Sequence, residues 1–294
     1  MRTLITLIWR EYWEHRGSFL VIPAIIGVLL FFVALCASLA IMLGLNIVYL
    51  SGTIHVNQPA GLTPLAFYGI GVPFVLALWC VIAHYFLGAF FDDRKDKSVL
   101  FWQSMPISQT QLILSKLIAG LILAPLLTMI CIVITSFLLL VLATLVFAQQ
   151  HIEYWPVLWR PMPILLTWWG QLLALLQQSI WIFPFAAWFL LCSAFSRRAP
   201  LLRAVIPMLI ILVIEGFFSP QPYFWHFIED LGLHILGVWA NVMVLLQEYF
   251  SDEPVSMQHS LLSQWGDPNL FLGVVLGIVF VVIAGWLRRR CYDQ

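Results

Sequence analysis

Charge is scarce in this chain. Asp, Glu, Lys and Arg make up 10% of its 294 residues, against 62% hydrophobic, and the mean hydropathy is +0.97. Soluble domains typically carry about 25% charged residues. No water-soluble core can hide so much apolar surface, which excludes a soluble protein and leaves a polytopic membrane protein. Cysteine is also sparse. Cys36, Cys80, Cys131 and Cys192 lie inside apolar runs, Cys291 lies at the C-terminus, and no CxxC pair exists. This argues against a disulfide framework and a zinc site. Signatures of chemistry are missing too. There is no G-x-x-x-x-G-K-[ST], hence no P-loop for ATP, and no H-E-x-x-H or G-x-S-x-G. We expect no catalytic set, no metal ligands, no cofactor held by the chain and, at zero net charge, no nucleic-acid partner. No A-x-A site follows the first apolar run, so a cleaved leader is not expected.

What is present is length. Six apolar runs, near 19–43, 67–91, 117–147, 171–195, 201–218 and 270–287, can each cross a hydrocarbon core as a helix. The third run is longer than a core of about 30 Å needs, so it either tilts or begins below the membrane. Basic residues sort to one side of these runs. Arg2, Arg10 and Arg16 precede the first; Arg94, Lys95, Lys97 and Lys116 follow the second; Arg197, Arg198 and Arg203 follow the fourth; Arg288, Arg289 and Arg290 follow the sixth. Only Arg160 falls on the other side, and segments 51–66 and 219–269 hold no Lys or Arg. Both termini are therefore expected to be cytoplasmic. One segment challenges the count. Residues 231–250 are apolar enough for a seventh span, which would place Arg288, Arg289 and Arg290 outside. Polar residues such as Glu229, Asp230, His234, Asn241 and Glu248 favour surface or re-entrant helices over 219–269 instead.

The expected fold is thus all-α: six transmembrane helices in a single transmembrane domain. Residues 1–16 add an interfacial helix. On a helical wheel Leu4, Ile5, Ile8, Trp9 and Tyr12 share a face with Trp13 at its edge; Arg10, Glu11 and Glu14 fall on the watery side. Pro23, Pro73, Pro125, Pro184 and Pro207 place a proline in each of the first five spans, a pattern read as kinks or as the ordinary tolerance of membrane helices. Gly273 and Gly277 form a G-x-x-x-G pair that permits close packing, within one subunit or between two.

Polar residues at membrane depth are candidate pathway positions. His84 is the one histidine well inside a span, read as hydrogen-bonded between helices or on a substrate path. Gln171 and Gln178 share a face, as a polar stripe or an outer-edge cap. Glu215 nears the end of span five, functional or simply close to water.

The richest stretch is 92–116, DDRKDKSVLFWQSMPISQTQLILSK. Six charges give way to Val99, Leu100, Phe101 and Trp102, then Pro106 breaks the chain and Ser108 can cap a helix running through Lys116 into the third span. A solvated linker needs no such apolar knot, which implies a partner or the membrane interface. With REYWEHRGSF near the N-terminus and this stretch after span two, the chain resembles permease subunits of the ATP-binding-cassette (ABC) type-2 exporter class. The resemblance covers the layout of the whole chain, but at residue level it rests on these two stretches. It implies an elbow helix at the N-terminus and a cytoplasmic coupling segment, 92–116, that docks in a cleft of a separate ATPase subunit. Asp96, Lys97, Val99, Leu100, Phe101, Trp102 and Pro106 would be the docking residues, and Trp9, Arg10, Tyr12 and Trp13 would belong to the elbow. Many members carry Gly-Thr and an acid in the short helix; here Lys97, Ser98 and Val99–Trp102 stand instead. The resemblance further implies ATP held by the partner, a second permease subunit (identical or related), no bond chemistry in this chain, and residence in the inner membrane. Two other readings stay open: an ATPase-binding anchor or assembly factor without transport, and an intramembrane enzyme using His84, Glu215 or the outer histidines His226, His234 and His259.

Overall fold

In a computed structural model, residues 2–42, 67–95, 108–151, 153, 155–160, 164–196, 198–218, 223–250 and 266–290 are described. Among them the regular structure is entirely helical. Six stretches are long and apolar enough to cross a membrane: Thr3–Ala40, Phe67–Lys95, Gln109–Gln149, Ile164–Phe195, Pro200–Phe218 and Pro268–Arg288.

Helix α1 (Arg2–Arg16) leads through a non-helical His15 and a π-turn at Gly17–Val21 into α2 (Ile22–Met42). Helix α3 (Val72–Gly88) ends in the single turn α4 (Phe91–Lys95). Ser108 caps α5 (Gln109–Ile118), its Oγ accepting from the Gln111 amide at 3.2 Å. A second π-turn, Ala119–Leu123, passes α5 into α6 (Ala124–Gln149). The third span therefore does begin as the Ser108 helix. Helices α7 (Ile164–Phe195), α8 (Pro200–Phe218), α9 (Tyr223–Phe250) and α10 (Pro268–Arg290) complete the chain.

Helix α7 is the axis of the bundle; α3, α6, α8, α9 and α10 all pack on it, α10 most extensively. The contact with α10 is close because glycines allow it. A Cβ on Gly277 would lie 2.5 Å from Phe183 Cε1, and one on Gly273 would touch Pro184. The G-x-x-x-G pair is thus spent on packing within this chain. Two of the five prolines, Pro184 and Pro207, are interior to helices. Pro73 and Pro125 stand in the first turn of α3 and α6, where a missing amide costs nothing. Pro23 follows the first π-turn in the same way.

Direction settles the seventh-span question. Along α9, Leu231 lies beside Pro184, His234 stacks on Trp181, and Ile235 and Trp239 meet Gln178. As numbers rise on α9 they fall on α7, so the two are antiparallel. Helix α8 is also antiparallel to α7, since Cys192 and Trp188 reach the carbonyls of Arg203 and Ala204. Helices α8 and α9 therefore run the same way. A chain that crosses on α8 cannot cross again in that direction, so α9 runs along α7 toward its N-terminal end and adds no seventh crossing.

Most of α8 faces outward: Leu201, Leu202, Val205, Leu209, Val213 and Phe217 are all exposed. With no soluble layer to cover them, such faces suit lipid or another membrane helix.

Candidate functional site

At one end of the bundle four ionic side chains are buried together. Glu11, Asp93, Lys116 and Arg288 are each no more than 5% exposed. Lys116 Nζ lies 3.2 Å from Glu11 Oε1 and 3.5 Å from Asp93 Oδ2, and Arg288 Nη2 lies 3.7 Å from the same Asp93 oxygen. Arg10 Nη2 donates to Glu11 Oε1 at 2.7 Å, and the Tyr85 hydroxyl donates to Glu11 Oε2 at 2.9 Å. The Arg288 guanidinium also sits over the Phe90 ring at 4.6 Å. Two buried acids face two buried bases, so the cluster is neutral before the partly buried Arg10 is added. Unpaired, any one of these charges would be very costly in such surroundings. Lys116, Arg10 and the Tyr85 hydroxyl all face the Glu11 carboxylate and offset the cost of burying it.

The local sequence explains each position. Lys116 sits in LILSKLIAGL, a lone cation on an apolar helix, so its ammonium must find a partner inside the fold. Gly120 lets α3 approach: a Cβ there would be 2.6 Å from Phe86 and 3.1 Å from Tyr85. That proximity brings the Tyr85 hydroxyl to α1. Leu7 and Glu11, one turn apart, form the buried side of α1, while Ile5, Trp9 and Trp13 are exposed. This corrects the helical-wheel expectation, which put Glu11 in water. Helix α1 has three faces, not two, because one stripe is claimed by α5 and the π-turns behind it. The aromatic face stands as expected: Trp9 stacks on Tyr12 at 5.3 Å, Trp13 closes on both, and Arg16 lies over Trp13. Arg10 reaches across to Glu14 as well.

A second knot adjoins the first. Arg94 donates to the carbonyls of Ala194 and Ser196 at 2.7 Å each and also to that of Ser193, so it closes the C-terminal end of α7. Ser193 Oγ returns the favour, accepting from the amides of Phe90 and Phe91 at 2.9 and 3.0 Å, where α4 begins. Arg203 adds a bond to the Phe195 carbonyl at 2.6 Å. The segment 96–107 is thus gripped at both roots, by Asp93 and Arg94 on one side and by Lys116 on the other. Its candidate docking residues, Asp96, Lys97, Val99, Leu100, Phe101, Trp102 and Pro106, lie outside the described residues. Beside its exit, Gln109, Ile113 and Leu117 of α5 and Val281, Gly285 and Trp286 of α10 enclose a groove of ≈ 460 Å³.

The candidate pathway residues are dispersed. His84 is exposed, in line with Val72, Leu76 and Cys80 at four-residue intervals on the outward side of α3. It is not held between helices as expected, because the inward stripe of α3 is filled by Leu78, Val81, Ile82 and Tyr85. Gln171 and Gln178 are buried on α7, but as clamps. Gln171 Nε2 donates to the Tyr68 carbonyl at 3.2 Å, and Gln178 Nε2 donates to that of Ile235 at 2.9 Å while its Oε1 faces Trp239 Nε1 at 3.4 Å. Glu215 lies near the end of α8 and closes the start of α9 from there, its carboxylate accepting from the amides of Phe224 (2.7 and 2.9 Å) and Trp225 (3.1 Å). Its place is thus set by the helix it starts. Glu11, Glu14 and His15 bring ligand atoms within 4.8 Å of one another, but Glu11 is already engaged by Lys116 and Arg10, so ion pairing accounts for the group.

The sequence reading missed Glu11, Tyr85, Asp93, Arg94 and Arg288 as one constellation. The available signal was the lone Lys116 and the abrupt charge of Arg94 after an apolar run; their partners are 105 and about 100 residues away. Compared with known proteins, the chain matches no family model, no curated protein and no solved structure.

Proposed function

We propose that this chain is the membrane-spanning permease subunit of an ATP-driven ABC exporter, moved by a separate ATPase that docks on segment 96–107. The observation that carries the reading is the buried charge network. It ties the interfacial helix α1, both roots of that segment and the end of the last span into one body. A force applied to the segment would reach α1, α3, α5, α7 and α10 together, since buried paired charges resist separation. Six spans with an outward-packed α9 suit such a subunit, and the sorting of Lys and Arg supports cytoplasmic termini and an inner-membrane location. The chain carries no ATP itself in this reading. Differential contacts in two states of the motor become two membrane conformations. The outward face of α8 would meet lipid or a second permease subunit, identical or related.

The test is direct. Phe101→Glu with Trp102→Glu should abolish co-purification with the ATPase subunit, and leave the melting of the membrane domain unchanged. An intact complex from that variant would defeat the docking reading. A non-transporting anchor or assembly factor would share the docking and differ in flux. Substrate movement into inverted vesicles, dependent on ATP and on this chain, separates the two. An enzyme would instead keep its activity without any ATPase and lose it in His84→Ala.

A further inference from the structure

At the opposite end of the bundle, one histidine joins α9 to the start of α10. His234 Nε2 faces Asp267 Oδ2 at 3.0 Å, and its Nδ1 faces the Asp230 carbonyl oxygen at 2.7 Å. Its ring lies flat on the buried Trp181, with centroids 4.3 Å apart and planes 12° apart. Neither a carbonyl nor a carboxylate has a proton to give. A neutral imidazole carries one N–H and can satisfy only one of these contacts; the imidazolium carries two and satisfies both. The face of Trp181 adds a further preference for the cation. Both acceptors are fixed by other bonds. Asp267 Oδ1 accepts from the Asn269 amide at 2.8 Å, capping α10, and Asn269 Nδ2 donates to Asp230 Oδ2 at 3.2 Å.

We propose that His234 is a proton-operated clasp: doubly protonated it fastens α9 to the outer end of α10 through a charge-assisted bond to Asp267, and on losing a proton it keeps only one of its two hydrogen bonds, without that charge, and loosens. The bond to Asp267 is strongest when both ring nitrogens carry a proton, so the clasp tightens in acid and loosens as pH rises. The other charged groups nearby do not substitute for it. On α9, the Asp230 carboxylate is held by Asn269, and Glu229 pairs with His226 at 3.5 Å. From α7 the facing group is Trp181, with Gln178 one turn on; from α8, Glu215 is engaged by the α9 amides. The clasp has a defined load. One turn before it, Leu231 walls an apolar cavity of ≈ 120 Å³ shared with Pro184, Phe227, Leu276 and Phe280. Release of α9 would slacken that wall. The word outer rests on the transport reading above; the chemistry of the clasp does not.

The test uses the purified full chain in detergent. Ring nitrogen-15 resonances of labelled histidines are followed from about pH 5 to 8.5, with His234 identified by its loss in His234→Gln and independently by its shift in Asp267→Asn. Amide hydrogen exchange of α9 peptides is measured alongside, corrected for intrinsic pH dependence. The expected result is two protonated ring nitrogens on His234 in acid, and exchange over 227–239 that rises several-fold as that proton leaves. Asp267→Asn should remove most of the rise. A singly protonated His234 at the acid end overturns the proposal. So does α9 exchange that ignores pH, or that keeps its full pH response in Asp267→Asn.

Discussion

The two ends of the bundle are held by different chemistry. At the basic end, Glu11, Asp93, Lys116 and Arg288 are charged, buried and mutually dependent. At the other end, Gln171, Gln178, Trp239 and Tyr68 use neutral amides and ring contacts, and the ionic link between α9 and the start of α10, His234 to Asp267, is partly exposed. Buried ion pairs add little net stability, because desolvation cancels most of their attraction, but they are intolerant of half-removal. Neutral clamps fail gently. The difference teaches where rigidity is enforced: around the roots of 96–107. Where α9 meets α7 and α10 the structure is free to yield.

The comparison can be broken hardest at Lys116. Lys116→Ala leaves Glu11 and Asp93 buried without their shared cation and should cost about 3–5 kcal/mol, read as a large fall in thermal stability in detergent. Lys116→Met with Glu11→Gln removes both charges at once. If the cluster is a coupled unit, this pair should be less damaging than the sum of the single changes by about 1 kcal/mol or more. Simple additivity would show Lys116 and Glu11 to be independent. Next comes Gly277→Val, which drives a side chain into Phe183 on α7; overpacking should cost about 1–3 kcal/mol. Smaller again is Gln178→Leu at the neutral end. It deprives Trp239 of a partner and frees Ile235, and should cost about 1 kcal/mol, as measured for hydrogen bonds between membrane helices. Glu215→Ala removes the α9 cap, costing about 0.5–2 kcal/mol. Its effect should appear as faster amide exchange in the first turns of α9, with the basic end untouched. Equal losses at Lys116 and Gln178 would erase the contrast between the ends.

Much of this was legible from residues in a row. Ser108 three positions before Gln111 announces a helix start, and the structure puts a cap there. Aromatics at Trp9, Tyr12 and Trp13 announce an exposed apolar stripe on α1. Glu11 was misjudged because a wheel treats a helix as having one wet side and one dry side; it cannot show that Lys116 would arrive on the third. His84 failed for the mirror reason. A histidine inside a span looks as if it must face inward, yet the period of α3 leaves it in line with Val72, Leu76 and Cys80.

The sequence by itself determined the number of membrane helices and their approximate positions, the charge asymmetry between the two ends and the helix start at Ser108. Each is a property of a contiguous segment: its length, hydropathy and local hydrogen bonding. Only the tertiary structure decided that Glu11 is buried, that Arg94 closes α7 and that α9 runs alongside α8 without crossing. Those outcomes depend on groups brought together from distant parts of the chain. A buried charge or an open helix end takes whichever partner the packing supplies, and hydropathy along a segment carries no record of that choice.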